Sequence, residues 1–473
     1  MSIVKINSGT LRGTQFVPVT VETQISSGVG IHLVGLADQS VKESLLRVVT
    51  ALQSLGYSVP GKKIVINLSP ADLRKEGSGF DLAIALGIIY ASGQALVPED
   101  LDRYVVCGEL ALDGDVRAVA GGLLLAEYAC GNGKNAVMPH GMALEAVPFG
   151  GEHEYGIFVA GSIKDSLEIL SGERPGGEHD FYNVCERDFN GFCAREESGE
   201  GPFSYFEGLS EAGQRAVMIA AAGGFDITVM GKENDEDCGR RIARALRELL
   251  PARGAADVLE TAKNYSAKSR AYDAALAAVP FRDVNPYASL LSALDETVLA
   301  HGGVLLAEDF TSTPKSIREL IYASHTEGQV KVSRLKGTDT YPTRYMLVTS
   351  VPQDTKLPSD FVETMRGSVQ LFSYAGLAAG SVSLEDARRA VAAARSAGDT
   401  KLPSGLSSVE ACTAVGDEGV DAIGRFAYRL GLSAQCISPI VRVAIAISRL
   451  DGCEAVTNAH IAEACSYKFM CRA

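Results

Sequence analysis

The sequence predicts an α/β protein of three domains, because of its length and of two changes in hydrophobic periodicity along it. At 473 residues the chain is long for one hydrophobic core, so two or three compact units are expected. Strand-like and helical stretches are mixed in the first part of the chain. In the middle part, helical stretches alternate with short β-rich runs. In the last part, apolar residues recur only at helical spacing. The predicted divisions are an α+β domain at 1–172, a linker at 173–204, an α/β core at 205–375 and a helical domain at 376–473.

The first domain shows both the alternating pattern of strands and the helical spacing of apolar residues. Strands are expected at Phe16–Val21, Ile64–Leu68 and Tyr104–Cys107, and helices at Ser40–Leu55 and Asp81–Ser92. The segment that follows, from residue 171 to residue 200, is rich in glycine and has eight carboxylates against three arginines. It has little apolar periodicity, which predicts an exposed linker.

The core is expected to contain a parallel sheet. Its short β-rich runs, at Ile227–Met230, Val304–Leu306 and Tyr345–Thr349, are separated by helical stretches, which is the pattern of strands joined by crossover helices.

The final domain is predicted to be a small helical bundle. Ser383 and Asp386 resemble a capping box that begins an Ala/Arg-rich helix ending near Gly398. Further helices are expected where apolar residues recur at helical spacing, at Val420–Leu430, Pro439–Leu450 and Ala459–Phe469.

Composition restricts the function. The 44 basic and 58 acidic residues give a net charge of -14, which argues against nucleic-acid binding over the whole surface and permits only a local basic element. The ten cysteines have no zinc-binding spacing, so no metal site is expected. No signal peptide or membrane-spanning stretch is expected, and the predicted location is the cytoplasm, away from any membrane.

Four ordered blocks give the first domain a family resemblance: Gly35–Ser44, Ile64–Gly79, Asp81–Gly93 and Gly108–Gly122. They are similar to the N-terminal domain of the ComM/YifB family, AAA+ ATPases related to magnesium chelatase. The resemblance implies the fold of the Lon protease catalytic domain.

A Lon-type Ser/Lys dyad is not expected, however. Gly79 stands where Lon-like enzymes carry the nucleophile, and Leu123–Ala126 contains no lysine. Ser78, one place away, is more typical of a turn or helix cap, because a serine without a base is inert.

The resemblance resumes at Glu207 and runs to the end of the chain. Ala212–Gly224 resembles the helix before the family's P-loop strand, and Gly231 then begins the sequence GKENDEDC. A G-x-x-x-x-G-K-[ST] loop is expected there, and this sequence lacks its second glycine, its lysine and its hydroxyl. Lys232 could reach a phosphate, but it is more typical of a solvated loop lysine. The resemblance therefore implies a vestigial P-loop, with no cofactor expected and ATP and Mg²⁺ bound only if the site still works.

The family's Walker B strand resembles the stretch 301–310, with its acidic pair in swapped order as Glu308 and Asp309. The swap displaces each carboxylate by roughly 1.5 Å, which hydrolysis tolerates poorly. The sensor asparagine is missing from the stretch 347–352, Arg366 is a doubtful arginine finger, and Gln435 stands where the family's lid has an arginine. No catalytic residue is expected, and the acidic pair is interpreted as vestigial.

A basic β-hairpin is better preserved. Its candidate DNA-binding residues are Lys331, Arg334, Lys336 and Arg344, which with Asp339 give a local charge of +3. In related AAA+ proteins the corresponding hairpin faces the pore of a ring and can touch DNA. A solvated hairpin with a purely structural role is the alternative.

The functional prediction is a pseudo-ATPase of the ComM/YifB type, acting as a DNA-associated or ring-assembly protein in a ring with itself or with an active paralogue. One alternative is the family's ATP-driven branch migration of DNA in natural transformation. Another is a metal-chelatase-like ATPase subunit, which rests on shared ancestry alone.

Overall fold

A computed structural model shows two compact units. The residues it describes are 3–146, 156–173, 204–231, 238–268, 278–334, 337–353, 355–372, 379–397, 401–468 and 470. The first unit consists of Met1–Glu196, Ala255–Leu276 and Lys331–Tyr341, and the second unit of Glu197–Gly254, Ala277–Val330 and Pro342–Ala473. The domain boundaries predicted above stay predictions.

In chain order the strands are β1 (Val4–Arg12), β2 (Gln15–Ser26), β3 (Gly30–Val34), β4 (Leu36–Ala37), β5 (Lys63–Ser69), β6 (Arg74–Lys75), β7 (Tyr104–Val106), β8 (Glu109–Leu110), β9 (Val116–Arg117), β10 (Asn135–Met138), β11 (Ile157–Val159), β12 (Ile227–Gly231), β13 (Phe281–Val284), β14 (Val304–Ala307), β15 (Gln329–Arg334), β16 (Gly337–Pro342), β17 (Met346–Pro352) and β18 (Val369–Phe372).

The α-helices are α1 (Gln39–Ser54), α2 (Asp81–Ala91), α3 (Gly122–Gly131), α4 (His140–Ala146), α5 (Ile163–Ser171), α6 (Glu211–Gly223), α7 (Cys238–Leu249), α8 (Ala255–Ala267), α9 (Leu290–Leu299), α10 (Lys315–Glu327), α11 (Ser359–Thr364), α12 (Leu384–Ser396), α13 (Ser408–Arg429), α14 (Ile437–Leu450) and α15 (Asn458–Ser466).

The first unit is built on a seven-stranded sheet of order β11-β10-β7-β1-β2-β5-β3. The strand β2 pairs antiparallel with β1 and β5, and the other neighbours pair in parallel. In β5 every second residue is buried, as expected of a strand with one face on the core. The helix α2 is buried from Asp81 to Tyr90, as expected of a helix that is apolar on nearly every side.

The strands and helices predicted for the first domain are confirmed as β2, β5, β7, α1 and α2, within two residues at most of their ends apart from the longer β2. Ser171, where the glycine-rich segment begins, is the last residue of α5. Residues 174–203 lie outside the described residues, so the linker at 173–204 stays a prediction.

The second unit contains a parallel five-stranded sheet of order β13-β14-β17-β12-β18. The strand β14, which lies inside the sheet between β13 and β17, is buried throughout, as expected when both faces of a parallel sheet are covered. The chain leaves β12 for the far edge, returns through β14 and β17 to one side of β12, and then forms β18 on its other side. The predicted α/β class is confirmed, and the carboxyl end of β12 is the switch point where such sheets bind ligands.

The predicted bundle helices are confirmed, and one further helical part is present. Ser383 accepts a hydrogen bond from the main-chain N–H of Asp386, which begins α12 as predicted. The helix predicted at Val420–Leu430 is confirmed as the part of α13 that follows Gly416, where φ is 76° and the helical backbone is broken. The part of α13 before Gly416, which begins at Ser408 after a capping box formed by Ser407 and Glu410, was not predicted.

Candidate functional site

The carboxyl ends of three neighbouring strands define the candidate site in the second unit. Gly231 ends β12, and its carbonyl accepts a hydrogen bond of 2.8 Å from the N–H of Gln353, just after β17. Glu308 and Asp309 follow β14 directly. Residues 232–237 lie outside the described residues, so the predicted vestigial P-loop, including Lys232, stays a prediction.

Glu308 is paired with an arginine from the helix that follows the loop. Arg240, the third residue of α7, donates from Nη2 to Glu308 Oε2 at 3.1 Å and from Nη1 to Asp283 Oδ2 at 2.7 Å. Burial lowers the pKa of the Arg240 guanidinium, but its hydrogen bonds to the two carboxylates outweigh this and raise that pKa. One guanidinium therefore bridges two carboxylates at the place where the resemblance puts a magnesium-binding acid.

A close helix contact places Arg240 there. At Gly239 an added Cβ would lie 3.0 Å from the Cβ of Ser350 in β17 and 3.5 Å from Leu306 Cδ1 in β14. The first turn of α7 thus lies directly on the two strands, and the next side chain is directed toward Glu308. Sequence reasoning missed Arg240; its only sequence signal is its position just after the loop, within a basic helix.

Asp309 has different surroundings. It has φ 41° and is the sole non-glycine residue with positive φ among the described ones, in a region that Asp tolerates better than most residues. Its N–H donates to Ser350 Oγ at 3.1 Å, and its Oδ1 accepts from Thr311 Oγ1 at 3.3 Å. The swapped acids are therefore held by separate partners, and Ser350, within the stretch that lacks the sensor asparagine, supplies one of them.

Two other residues were assigned to the nucleotide site from the sequence, Gln435 and Arg366. In the described part of the chain, no hydrogen bond joins either of them to Glu308 or Asp309. Gln435 is exposed, in a single turn between α13 and α14. The Arg366 carbonyl accepts from the buried Lys468 ammonium at 3.5 Å. Their predicted lack of a catalytic role stays a prediction.

The predicted hairpin is confirmed as the two-stranded sheet β15-β16. Lys331 is exposed in β15, the side chain of Arg334 is not described, and Lys336 lies outside the described residues. Arg344 is also exposed, but it belongs to the second unit, where its N–H donates to His301 Nδ1 at 3.0 Å. The four candidate DNA-binding residues are thus divided between the two units, and their role stays a prediction.

In the first unit, Ser78 contacts a carboxylate. Its Oγ donates to Glu109 Oε2, and Gly79 packs so closely on Cys107 that an added Cβ would lie 2.9 Å from Sγ. Lys75 is fully buried and donates to the Pro70 carbonyl. No described hydrogen bond joins a lysine to Ser78, and the interpretation of Ser78 as a turn or helix-capping residue stays a prediction.

The described part of the chain has no membrane-spanning helix and no metal-binding cluster. No helix there is long and apolar enough to cross a membrane. No group of three or more His, Cys, Asp or Glu side chains in that part of the chain is arranged to hold a metal ion.

Three family models match the chain in order. They are described as subunit ChlI of Mg-chelatase, over residues 21–142, magnesium chelatase subunit ChlI, over 206–355, and magnesium chelatase subunit ChlI C-terminal, over 383–468. The fold and these matches define a magnesium-chelatase-type protein with an AAA+-type α/β core.

Individual relatives narrow this class. The chain is 28% identical to the uncharacterised protein YifB of Escherichia coli, over 99% of this chain and 97% of that one. It is 30% identical to the uncharacterised protein YifB of Salmonella typhimurium, over 74% of this chain and 68% of that one. It is 25% identical to the competence protein ComM of Haemophilus influenzae, over 100% of this chain and 98% of that one. The chain belongs to the ComM/YifB family, as the sequence motifs predicted.

Proposed function

We propose that this chain is a non-hydrolysing member of the ComM/YifB family, which acts through its surfaces as a DNA-associated or ring-assembly protein of the cytoplasm. Its partners would be DNA, at the hairpin, and further copies of itself or an active paralogue in a ring.

The observation that carries the proposal is the bridge from Arg240 to Glu308 and Asp283. A magnesium ion bound by Glu308 would have to displace a guanidinium that is hydrogen-bonded at 3.1 Å, or lie beside it and be repelled. The bridge therefore counts against a magnesium-nucleotide centre at Glu308, because the acid that the resemblance assigns to the metal already has a cation on one of its two oxygens.

The sequence of the loop supports the same proposal. Residues 231–238, GKENDEDC, have four carboxylates and one lysine where a triphosphate would lie. Each carboxylate at about 5 Å would repel a unit of phosphate charge by roughly 3 kcal/mol at an effective dielectric of 20. The inner glycine, the lysine and the hydroxyl that usually bind phosphate and magnesium are missing from the sequence.

ATP-dependent action on DNA is the second candidate. It is favoured by the similarity to a relative named competence protein ComM, and by the acidic pair that remains after β14. A chelatase-like role rests on the family descriptions alone, and no described side-chain cluster favours it.

Calorimetric titration of the full chain with magnesium-ATP tests the proposal. We expect no binding, because the loop lacks its phosphate-binding groups. A dissociation constant below about 100 μM, equivalent to roughly -5.5 kcal/mol, would favour the ATP-dependent alternative. The variant Arg240→Ala is a useful comparison: if it alone binds the nucleotide, the guanidinium is what keeps the site closed.

A further inference from the structure

Two segments from the middle of the chain pack within the first unit. One is Ala255–Leu276, which contains α8, and the other is Lys331–Tyr341, which forms most of the hairpin. Both lie in the stretch matched by the magnesium chelatase core model, residues 206–355. The hairpin segment contacts the turn between β1 and β2, and the end of α8 contacts the start of α3 and the helix α4.

Arg12 and Gly13, at the turn between β1 and β2, lie against the hairpin strand β16. Arg12 Nη1 lies 3.7 Å from Asp339 Oδ1, and the two side chains are only 16% and 4% exposed. Gly13 has φ +58°, and a Cβ there would collide with the carbonyl of Thr340. Gly337 lies beside the Arg12 guanidinium, with an added Cβ 3.2 Å from Nη1. The main chain of the β1-β2 turn is therefore in close contact with the main chain of β16, and the largely buried Arg12–Asp339 ion pair lies beside this contact.

The helix α8 holds the hairpin on a second side. Lys268 Nζ lies 4.6 Å from the ring centroid of Tyr341, a residue that is 6% exposed, in the arrangement of a cation–π pair. The carbonyl of Ser266 accepts from the N–H of Gly121, at the start of α3, at 3.0 Å, and its hydroxyl donates to Glu145. The end of α8 is therefore hydrogen-bonded to the start of α3 and to α4, and it lies against the hairpin.

We propose that the β1-β2 turn and α8 clamp the hairpin in one position, so that the first unit presents it as a rigid element without any need for nucleotide. Arg12 and Gly13 are positioning residues in this clamp. A clamped hairpin has its strands ordered before any ligand arrives, which lowers the conformational entropy lost on binding. The ligand, DNA, rests on the proposed function; the clamp does not, because it is defined by contacts inside the unit.

Hydrogen exchange measured by mass spectrometry on the full chain tests the clamp. The variant Gly13→Ala introduces the Cβ that the Thr340 carbonyl excludes, and we expect amides of Gln329–Pro342 to exchange at least about tenfold faster. The matched control is Gly93→Ala, because Gly93 has φ +76° in the same unit with nothing within 4 Å of an added Cβ. It carries the same kind of backbone strain and should leave hairpin exchange unchanged. Equal hairpin exchange in the two variants would overturn the clamp.

A second pair of variants keeps the test decisive if Gly13→Ala does not fold. Arg12→Ala removes the ion pair with Asp339 and should also speed hairpin exchange, whereas Arg12→Lys keeps the charge and should restore much of the protection. If neither Arg12 variant changes the exchange of the hairpin, the clamp is wrong.

The DNA affinity of the same variants separates the clamp from the proposed function. Gly13→Ala changes no charge, so a clamped DNA-binding hairpin predicts about a fivefold weaker affinity with an unchanged salt dependence. Faster hairpin exchange in a protein whose unaltered form binds no DNA would support the clamp and count against DNA as the ligand.

Discussion

Arg240 and Glu308, 68 positions apart in the sequence, share a hydrogen bond of 3.1 Å at the carboxyl end of β14. The same guanidinium reaches Asp283 in the edge strand, so one cation joins the first turn of α7 to two strands of the parallel sheet. The pair is partly solvated, with side chains 34% and 26% exposed, and its value for stability is accordingly modest. Its consequence is chemical, because it pairs the acid after β14 with a cation from within the same unit.

Replacing Arg240 by alanine should lower the free energy of unfolding by about 1 kcal/mol, because Glu308 and Asp283 would both lose their cation while partly buried. Arg240→Lys should recover only part of this, since an ammonium cannot bridge two carboxylates as a guanidinium does. Urea unfolding measures both. Arg389→Ala is the control, because Arg389 pairs with Glu385 at side-chain exposures of 71% and 88%, and its change should stay within about 0.5 kcal/mol. Equal losses for the two alanine variants would remove any special role for the bridge.

The variants Glu308→Gln and Asp309→Gly should leave the oligomeric state and any DNA affinity unchanged, because a non-hydrolysing protein does not use these carboxylates. Glycine is chosen at Asp309 because the residue has φ 41°, where alanine would add backbone strain of about 1 kcal/mol. Native mass spectrometry and a DNA-binding titration are the measurements. Loss of assembly or binding in a folded variant would show that the acidic pair still works.

If the hairpin binds DNA, the affinity should fall steeply with salt. About three phosphate contacts by its basic residues imply a slope of log K against log salt near -3 for each engaged subunit. The double variant Lys331→Ala, Arg334→Ala should flatten this slope by about two. Lys164→Ala is the control, since Lys164 is 79% exposed in the same unit and pairs with Glu168. A slope that is unchanged in the double variant would leave the hairpin with a structural role only.

Stability should depend on pH through His325 and Asp226. His325 Nε2 lies 2.8 Å from Asp226 Oδ2, and the charge of Asp226 raises the pKa of the imidazole above its usual 6.5. Because the folded pKa is the higher one, the stabilisation is fully present below about pH 6.5 and is lost as pH rises through the folded value. Urea unfolding between pH 6 and 9 should show this loss, and His325→Gln should abolish it. The exposed His32, changed to Gln, is the control; a pH profile that His325→Gln leaves intact would reject the pair as its source.

The sequence by itself determined the order of the elements and the family. Regular burial in β5 and the apolar helix α2 follow from local periodicity, and the hairpin follows from two short runs around a polar turn. Its motifs also located the acidic pair after β14, because a motif is a local property of the chain. Periodicity did not reveal the part of α13 before Gly416, which a backbone kink with φ 76° separates from the predicted helix.

The tertiary structure alone decided which charges meet. Arg240 is joined to Glu308 because Gly239 lets α7 lie directly on β14 and β17, and Arg12 is joined to Asp339 because the β1-β2 turn packs on a strand from far along the chain. Neither pairing leaves a periodic signal, since ion pairs between distant segments depend on packing distances and not on sequence spacing. For the same reason, only the fold shows that most of the hairpin belongs to the first unit and Arg344 to the second.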